Sequence, residues 1–104
     1  MKRRSVVFTN EAQDDLFHMY EWIAEAGEAE RALTFIARVE QFCLGFDLAS
    51  ERGQRRDDIR PGLRIVGFEK TLTIAFAVDD NRVVILRLFY RGRDWSSQLN
   101  PDPI

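Results

Sequence analysis

The sequence predicts one α+β domain of element order β-α-α-β-β-β, in which an N-terminal helical hairpin packs on a twisted, mainly antiparallel sheet. Two spacings of apolar residues carry this prediction. Between residues 12 and 46 they recur every three or four positions, as on amphipathic helices, and from Leu63 they alternate with period two, as on strands. A chain of 104 residues is long enough for a single hydrophobic core. We therefore expect one domain over residues 1–99 and a short tail over residues 100–104.

The first half of the chain is predicted to form a short strand and two helices. Ser5 to Phe8 form the strand, and Thr9 or Asn10 caps a first helix that ends at Gly27. A second helix follows over residues 28 to about 47, and a single glycine between two long helices favours an antiparallel hairpin. The acidic residues of the first helix are expected to lie largely on its solvated face: Asp14, Asp15, Glu21 and Glu25.

The second half is predicted to form three strands, over residues 63–68, 71–78 and 82–90, with turns at Glu69-Lys70 and at residues 79–81. A charged loop over residues 51–62 precedes them and is lined by Arg52, Arg55, Arg56 and Arg60. Alternation along the middle strand places four large residues on one face: Leu72, Ile74, Phe76 and Val78. The predicted core draws on both helices and on the last two strands: Leu16, Ile23, Ile36, Val39, Phe42, Ile74, Phe76 and Leu86.

Composition excludes several classes of protein. No apolar run reaches the roughly 18–20 residues of a membrane-spanning helix, and Thr9-Asn10-Glu11 interrupts the apolar residues behind the basic start, so no secretory signal is expected. One cysteine, Cys43, and one histidine, His18, cannot build a disulfide framework or a Cys/His zinc site. We expect a cytoplasmic protein without metal or cofactor, with Cys43 as a buried small apolar residue and His18 at the surface or its boundary.

Charge is unevenly distributed along the chain. Residues 1–50 carry five basic and nine acidic side chains, whereas residues 51–104 carry ten basic and eight acidic ones. Thirteen of the fifteen basic residues are arginine, which favours bidentate contact with carboxylate or phosphate. The second half is therefore the expected binding half, while a net charge of −2 argues against a general nucleic-acid binder.

Arg87 interrupts the apolar run of the last predicted strand. Alternation places it on the face of Ile85 and Phe89, opposite Leu86 and Leu88. Two interpretations stay open: an arginine at a sheet edge or paired with a carboxylate of this chain, or one that binds a carboxylate or phosphate of a partner.

The strand ends in Tyr90-Arg91-Gly92-Arg93-Asp94-Trp95, which could stack on bases or bind an acidic peptide. The alternative is a basic flank with Trp95 folded back onto the core. The sequence contains no P-loop, no G-x-G-x-x-G, no H-E-x-x-H and no paired-carboxylate signature, and it identifies no catalytic residue.

Several collinear segments resemble the ParE toxins, a family of the RelE/ParE superfamily. The opening Phe8–Leu16 resembles F-T-x-E-A-x-x-D-L, and Arg56–Arg64, with Arg52-Gly53 before it, is similar to R-G … R-D-D-L-R-P-G-L-R. Shorter matches to I-A … E-R-A … F-I and to V-V-I-L-R-V … G-A-R-D lie between and after these two: Ala24-Glu25, Glu30-Arg31-Ala32, Phe35-Ile36, Val83–Arg87 and Gly92-Arg93-Asp94. The resemblance spans about residues 6–95.

The resemblance implies the toxin of a type II toxin–antitoxin pair, of the kind that serves plasmid stabilisation. It implies a hetero-oligomer with a ParD-like antitoxin that is disordered until bound, and DNA gyrase as the target, whereas RelE relatives cleave messenger RNA on the ribosome. Toxins of this type present apolar surface to the antitoxin, and Phe17 and Trp22 lie off the main stripe of the first helix. The expected antitoxin contacts are Phe17, Tyr20, Trp22, Phe35 and Arg87, unless these aromatic residues only widen the core stripe. The expected target contacts are Tyr90, Arg91, Arg93 and Trp95.

One strand departs from the family pattern. Where relatives read G-R-Y-L-I-F-Y-R-V, this chain has Lys70-Thr71-Leu72-Thr73-Ile74-Ala75-Phe76-Ala77-Val78, so that Thr73 stands where RelE-type nucleases use a basic residue. The lysines that precede that residue in such nucleases are missing as well. A non-enzymatic toxin that binds gyrase is therefore favoured. The alternatives are a RelE-like ribonuclease, which would use Arg64, Arg87, Tyr90 and Arg93, together with Arg91, and an attenuated binding module with the toxin fold.

Overall fold

The computed structural model of the protein describes residues 3–48 and 50–90. Two helices, α1 (Asn10–Glu25) and α2 (Ala29–Leu44), pack on one face of a five-stranded sheet. The strands are β1 (Ser5–Phe8), β2 (Gln54–Arg55), β3 (Leu63–Phe68), β4 (Leu72–Val78) and β5 (Arg82–Tyr90), in the order β1-β5-β4-β3-β2. Of the four strand pairs in these residues, β1–β5 is parallel and the other three are antiparallel. The predicted fold class is confirmed, with the short strand β2 added inside the predicted loop.

The boundaries of the helical hairpin follow from local chemistry. The Thr9 hydroxyl accepts the Ala12 N–H at 3.0 Å and donates to the Leu86 carbonyl at 2.8 Å, so the helix cap also attaches α1 to β5. Gly27, at φ +83°, lies in the left-handed region that ends α1. Helix α2 ends three residues earlier than predicted, because Gly45–Asp47 form a separate 3-10 turn.

The main core lies between the helices and the sheet. Val39, Ile74 and Phe76 are fully buried there, as predicted. Four other predicted core residues are only partly buried but pack against this core: Leu16, Ile23, Ile36 and Phe42. Leu86 is also partly buried, but it packs in a second, smaller core cluster, with Leu63, Ala75 and Phe89.

A β-bulge in β5 explains why Leu86 does not share a face with Leu88, and Arg87 does not share one with Ile85, as strict alternation predicted. Ala75 pairs with Arg87 and Phe76 pairs with Ile85, so Leu86 is an extra residue without a partner on β4. The bulge reverses the alternation after Ile85. Leu88 therefore faces the helices together with Ile85, whereas Arg87 shares the opposite face with Phe89, whose ring centroid is 5.0 Å from its guanidinium carbon.

The β3–β4 connection is the predicted two-residue turn. Glu69 and Lys70 both have positive φ, 50° and 62°, as the tight turns between antiparallel strands require. This turn brings Glu69 close to α2. Among the described residues, no helix is both long and apolar enough to span a membrane.

Candidate functional site

An open groove of about 970 Å³ lies between the α1–α2 junction and the β3–β4 turn. Its floor is aromatic and consists of Trp22 from α1, Phe35 from α2 and Tyr90 from the end of β5. Tyr90 joins the other two, since its ring centroid lies 6.2 Å from that of Trp22 and 5.8 Å from that of Phe35. Trp22 is 46% exposed and Phe35 is buried, so the groove combines a solvent-accessible aromatic ring with a buried one.

Ion pairs border the groove. Arg38 on α2 donates two hydrogen bonds of 2.8 Å to Glu69, which fixes the β3–β4 turn against the helix. Hydrogen bonding to Arg38 lowers the pKa of Glu69, so this pair is ionised at neutral pH. Arg31 binds Glu28 at 2.9 Å on the same rim. Glu30, Thr34 and Thr71 add further polar groups to the described lining.

A second feature, at the outer side of β5, joins α1 to the last strand. Asp15 on α1 accepts hydrogen bonds from Arg87 Nε at 2.7 Å, from Arg87 Nη2 at 3.1 Å and from the Leu88 N–H at 2.9 Å. Strand β1 ends opposite Ile85, so this carboxylate satisfies part of the strand edge that β1 leaves uncovered. The hydrogen bonds to Asp15 raise the pKa of Arg87.

The prediction that Asp15 faces solvent is therefore wrong. Asp15 is only 8% exposed and lies among the buried positions of α1, three residues after Ala12 and four before Met19. Its spacing from Ala12 and Met19 predicts burial, whereas the charge of its side chain predicts exposure. For Arg87, pairing with a carboxylate of this chain is what the structure shows; its contact with an antitoxin stays a prediction.

The other predicted partner-binding residues are dispersed. Phe17 is 60% exposed on α1 and lies beside the ring of His18, at 6.1 Å between centroids, but it does not line the groove. Tyr20 is partly buried. Of the predicted target contacts only Tyr90 is described; Arg91, Arg93 and Trp95 lie outside the described residues.

Three of the four arginines in the loop over residues 51–62 bind groups of this loop or of the 3-10 turn before it. Arg56 donates two hydrogen bonds to Asp58, at 2.9 and 2.8 Å, and Arg55 pairs with Asp57 at 3.0 Å. Arg52 lies over the Phe46 ring and donates to the carbonyls of Gly45 and Leu48. The sequence showed the basic residues of this loop but not their local partners.

The candidate ribonuclease residues do not form one cluster in the described part of the chain. Arg64 lies on the helix-facing side of β3, in register with Phe76, and donates to the Arg52 carbonyl at 3.1 Å. Tyr90 also packs on the helix side, whereas Arg87 lies on the opposite face of β5. Arg93 lies outside the described residues.

Neither a thiol nucleophile nor a metal cluster is evident in residues 3–48 and 50–90. Cys43 is buried, and desolvation raises its pKa to about 12, which keeps the thiol protonated at neutral pH. No group of three or more His, Cys, Asp or Glu side chains in these residues could hold a metal ion. The absence of a cofactor stays a prediction.

Comparison with known proteins supplies the family. The family model described as "ParE toxin of type II toxin-antitoxin system, parDE" matches residues 6–95. A solved chain from the chromosomal ParDE toxin–antitoxin system of P. aeruginosa is 22% identical, with a TM-score of 0.74 over 85% of this chain and 96% of that one. A chain of the RelBE2 toxin–antitoxin complex from Mycobacterium tuberculosis is 26% identical, with a TM-score of 0.60 over 88% of this chain and 94% of that one. A search of curated protein sequences finds no significant match. The match over residues 6–95, on a fold shared with chains of two toxin–antitoxin structures, means that this chain belongs to the ParE toxin family of type II toxin–antitoxin systems.

Proposed function

We propose that this toxin acts by binding DNA gyrase and that a ParD-like antitoxin, disordered until bound, neutralises it in a hetero-oligomeric complex. The observation that carries the proposal is the ParE family match, which covers nearly all of the domain. Gyrase is a cytoplasmic enzyme, so the proposal places the toxin in the cytoplasm. It requires no metal and no cofactor.

The arrangement of the arginines supports binding over RNA cleavage. Phosphodiester cleavage needs cationic or acidic groups that converge on the transition state. Arg64 and Arg87 lie on opposite faces of the sheet, and Asp15 already neutralises the Arg87 guanidinium. Thr73 adds no charge on β4. We infer that the toxin acts by binding its target and not by cleaving RNA.

For the antitoxin we propose anchoring on α1 and on the groove. Exposed aromatic residues are the commonest energetic anchors of protein interfaces, and Phe17 and Trp22 are the two exposed aromatic side chains of α1. Tyr20 and Phe35 are included as more buried residues of the same two helices. Arg87 is included as a contact at the neighbouring strand edge, where its side chain keeps 24% exposure.

For the target we propose the segment that begins at Tyr90 and continues through Arg91, Arg93 and Trp95. Tyr90, the described residue of this segment, is the last residue of β5 and lines the groove, so it belongs to the proposed antitoxin surface as well. An antitoxin bound there would compete with the target directly.

A RelE-like endoribonuclease is the second candidate, favoured by the 26% identity to a chain of the RelBE2 complex. It would use Arg64, Arg87, Tyr90 and Arg93. An attenuated module that binds its partner without poisoning the cell is the third candidate, because β4 lacks the basic residue of active relatives.

One set of assays separates the three. The chain is expressed alone and together with the product of the adjacent reading frame, and the purified toxin is added to gyrase supercoiling and to ribosome-dependent RNA cleavage. We expect growth arrest with filamentation, inhibited supercoiling, intact RNA and rescue by the adjacent product. Cleaved RNA with normal supercoiling would replace the proposal by the nuclease, and normal growth would favour the attenuated module.

A further inference from the structure

The solvent side of the helical hairpin carries apolar side chains of its own, apart from those that face the sheet. On α2 they are Leu33, Ala37 and Leu44, whose spacings of four and seven residues place them on one side of the helix. All three are exposed, Leu33 at 61% and Leu44 at 46%. On α1 the exposed apolar residue of this side is Phe17, at 60%. We call these four residues the outer row.

The antiparallel pairing of the helices brings Phe17 to the other three residues. Helix α1 ends at Glu25 and α2 begins at Ala29, so residues equally far from this junction lie at the same level. Phe17 and Ala37 are both eight residues from it, and Phe17 therefore lies level with the middle of the outer row. At a rise of about 1.5 Å per residue, the row is roughly 16 Å long, three turns of a helix.

The hairpin that carries the outer row is acidic. Its two arginines, Arg31 and Arg38, are already paired with Glu28 and Glu69. Residues 10–44 all lie in the described part of the chain, so the hairpin has no further lysine or arginine. Six exposed carboxylates of α1 and α2 form no ion pair with any described residue: Glu11, Asp14, Glu21, Glu25, Glu30 and Glu40. Glu40 belongs to the row itself, three residues after Ala37 and four before Leu44.

We propose that the outer row is the docking surface for a basic amphipathic helix of the antitoxin. Apolar side chains three or four residues apart on that helix would pack on Phe17, Leu33 and Leu44. Lysine or arginine on its flanks would face Glu40 on α2 and Glu21 on α1. The assignment of this helix to the antitoxin rests on the proposed function, whereas its chemistry rests on the apolar row and the unpaired carboxylates around it.

The charge of the hairpin disfavours the other occupants of such a surface. A second copy of this chain, related by a two-fold axis, would bring the same carboxylates of α1 and α2 against each other. An acidic helix or an anionic lipid surface would be repelled for the same reason. A basic helix places its cations beside these carboxylates, and attraction of this kind makes the affinity fall with ionic strength.

Three synthetic peptides test the proposal against the full-length toxin. Each has about eighteen residues, five turns of helix. The first has leucines in heptad positions and lysines on its flanks, its twin has glutamates in place of the lysines, and the third has the lysine composition in scrambled order. Calorimetry at two salt concentrations measures binding. We expect the first peptide to bind at least about tenfold more tightly than either of the others and to weaken at the higher salt.

Matched variants locate the binding on the hairpin. Phe17→Ala, Leu33→Ala and Glu40→Lys should each weaken the lysine peptide by about fivefold or more. Val7→Ala and Glu51→Lys are the controls, because they make the same kinds of change at exposed residues outside the two helices. Both controls should bind the peptide as the wild type does. Circular dichroism and melting confirm that each variant is folded.

Several results would overturn the proposal. They are equal binding of the lysine peptide and either of the other two, binding of none of them, and equal weakening by Glu40→Lys and Glu51→Lys. Dimerisation of the toxin that Leu33→Ala abolishes would assign the outer row to a second copy instead. Rescue of growth by the adjacent product is scored separately, so the docking surface can fail while the toxin–antitoxin function stands.

Discussion

Removing the Asp15 carboxylate is the sharpest test of how the last strand is held. Asp15→Ala removes three hydrogen bonds at once, two from Arg87 and one from the Leu88 N–H. It leaves the partners in place, one of them a guanidinium and the other a buried backbone N–H.

The expected loss of folding stability can be estimated from the groups that Asp15 leaves without a partner. A buried N–H without an acceptor costs about 1–3 kcal/mol. Breaking a fully buried ion pair costs about 3–5 kcal/mol, and an exposed one about 0–1 kcal/mol. The Arg87 side chain keeps 24% exposure and can regain water, so its share lies between these limits. Alanine recovers about 0.5 kcal/mol of helix propensity. We expect a net loss of about 3–4 kcal/mol, a large part of the stability of a small domain.

Urea unfolding followed by circular dichroism measures this loss of stability. The melting temperature should fall by on the order of 15–25 °C. Asp14→Ala is the matched control, because Asp14 is the preceding acid of the same helix and is exposed. Its stability should stay within about 0.5 kcal/mol of wild type. The double variant Asp15→Ala/Arg87→Ala should be less destabilised than the two single losses added together, since the partners act on each other. Equal stability of the Asp15 and Asp14 variants would refute the reasoning.

Three further perturbations have outcomes that follow from the structure. Gly53→Ala should cost at least about 2 kcal/mol in urea unfolding, because Gly53 has φ +73° and an added Cβ would clash with the Ile65 carbonyl oxygen; unchanged stability would contradict the close approach to β3. Phe76→Ala should cost about 3–5 kcal/mol and Phe17→Ala under about 0.5 kcal/mol, since the first is fully buried and the second is 60% exposed; similar losses would mean that the core is misplaced. Cys43 should resist alkylation at pH 8 until the protein unfolds. Its pKa is raised from 9.0 to about 12 in the folded state, so its contribution to stability should be complete below pH 9 and decline as the pH rises from 9 to 12. Rapid labelling of the native protein would contradict its burial.

The regular elements could be predicted from the sequence because their signals are local. Thr9 and Gly27 mark the ends of α1 by their own chemistry, and β3 and β5 end where their alternation ends. The β-bulge at Leu86 has no such signal. It depends on how β5 pairs with β4, and a strictly alternating pattern cannot place the residues before the bulge and those after it on the correct faces together.

The candidate site could be predicted only in part, because it joins residues far apart in the chain. Helical spacing identified Trp22 as off the core stripe, and the structure shows it exposed. The partner of Arg38 lies 31 positions away, on a turn whose direction no spacing encodes. Asp15 was missed for the opposite reason: its phase on α1 was correct for the core, but a carboxylate is buried only where partners exist, and those are 72 and 73 positions away.

These two features, the groove and the Asp15 contact, meet at the end of β5. Asp15 holds Arg87 and Leu88 against α1, and two residues later Tyr90 enters the groove between Trp22 and Phe35. Within residues 3–48 and 50–90, the edge of β5 beyond β1 is held by a side chain of α1 and not by another strand, so the position of Tyr90 depends on the register between helix and strand. A change at Asp15 should therefore disturb the groove as well as the stability of the domain. Asp15→Asn keeps the size of the side chain but not its charge, and we expect it to weaken partner binding in proportion to its effect on Tyr90.

Fluorescence of Trp22 reports the displacement of Tyr90 directly, because the Tyr90 ring lies 6.2 Å from the Trp22 ring. The spectrum also contains Trp95, so the Trp95→Phe background is needed to read it. An unchanged Trp22 spectrum in Asp15→Asn, with weakened partner binding, would separate the two features and contradict this coupling.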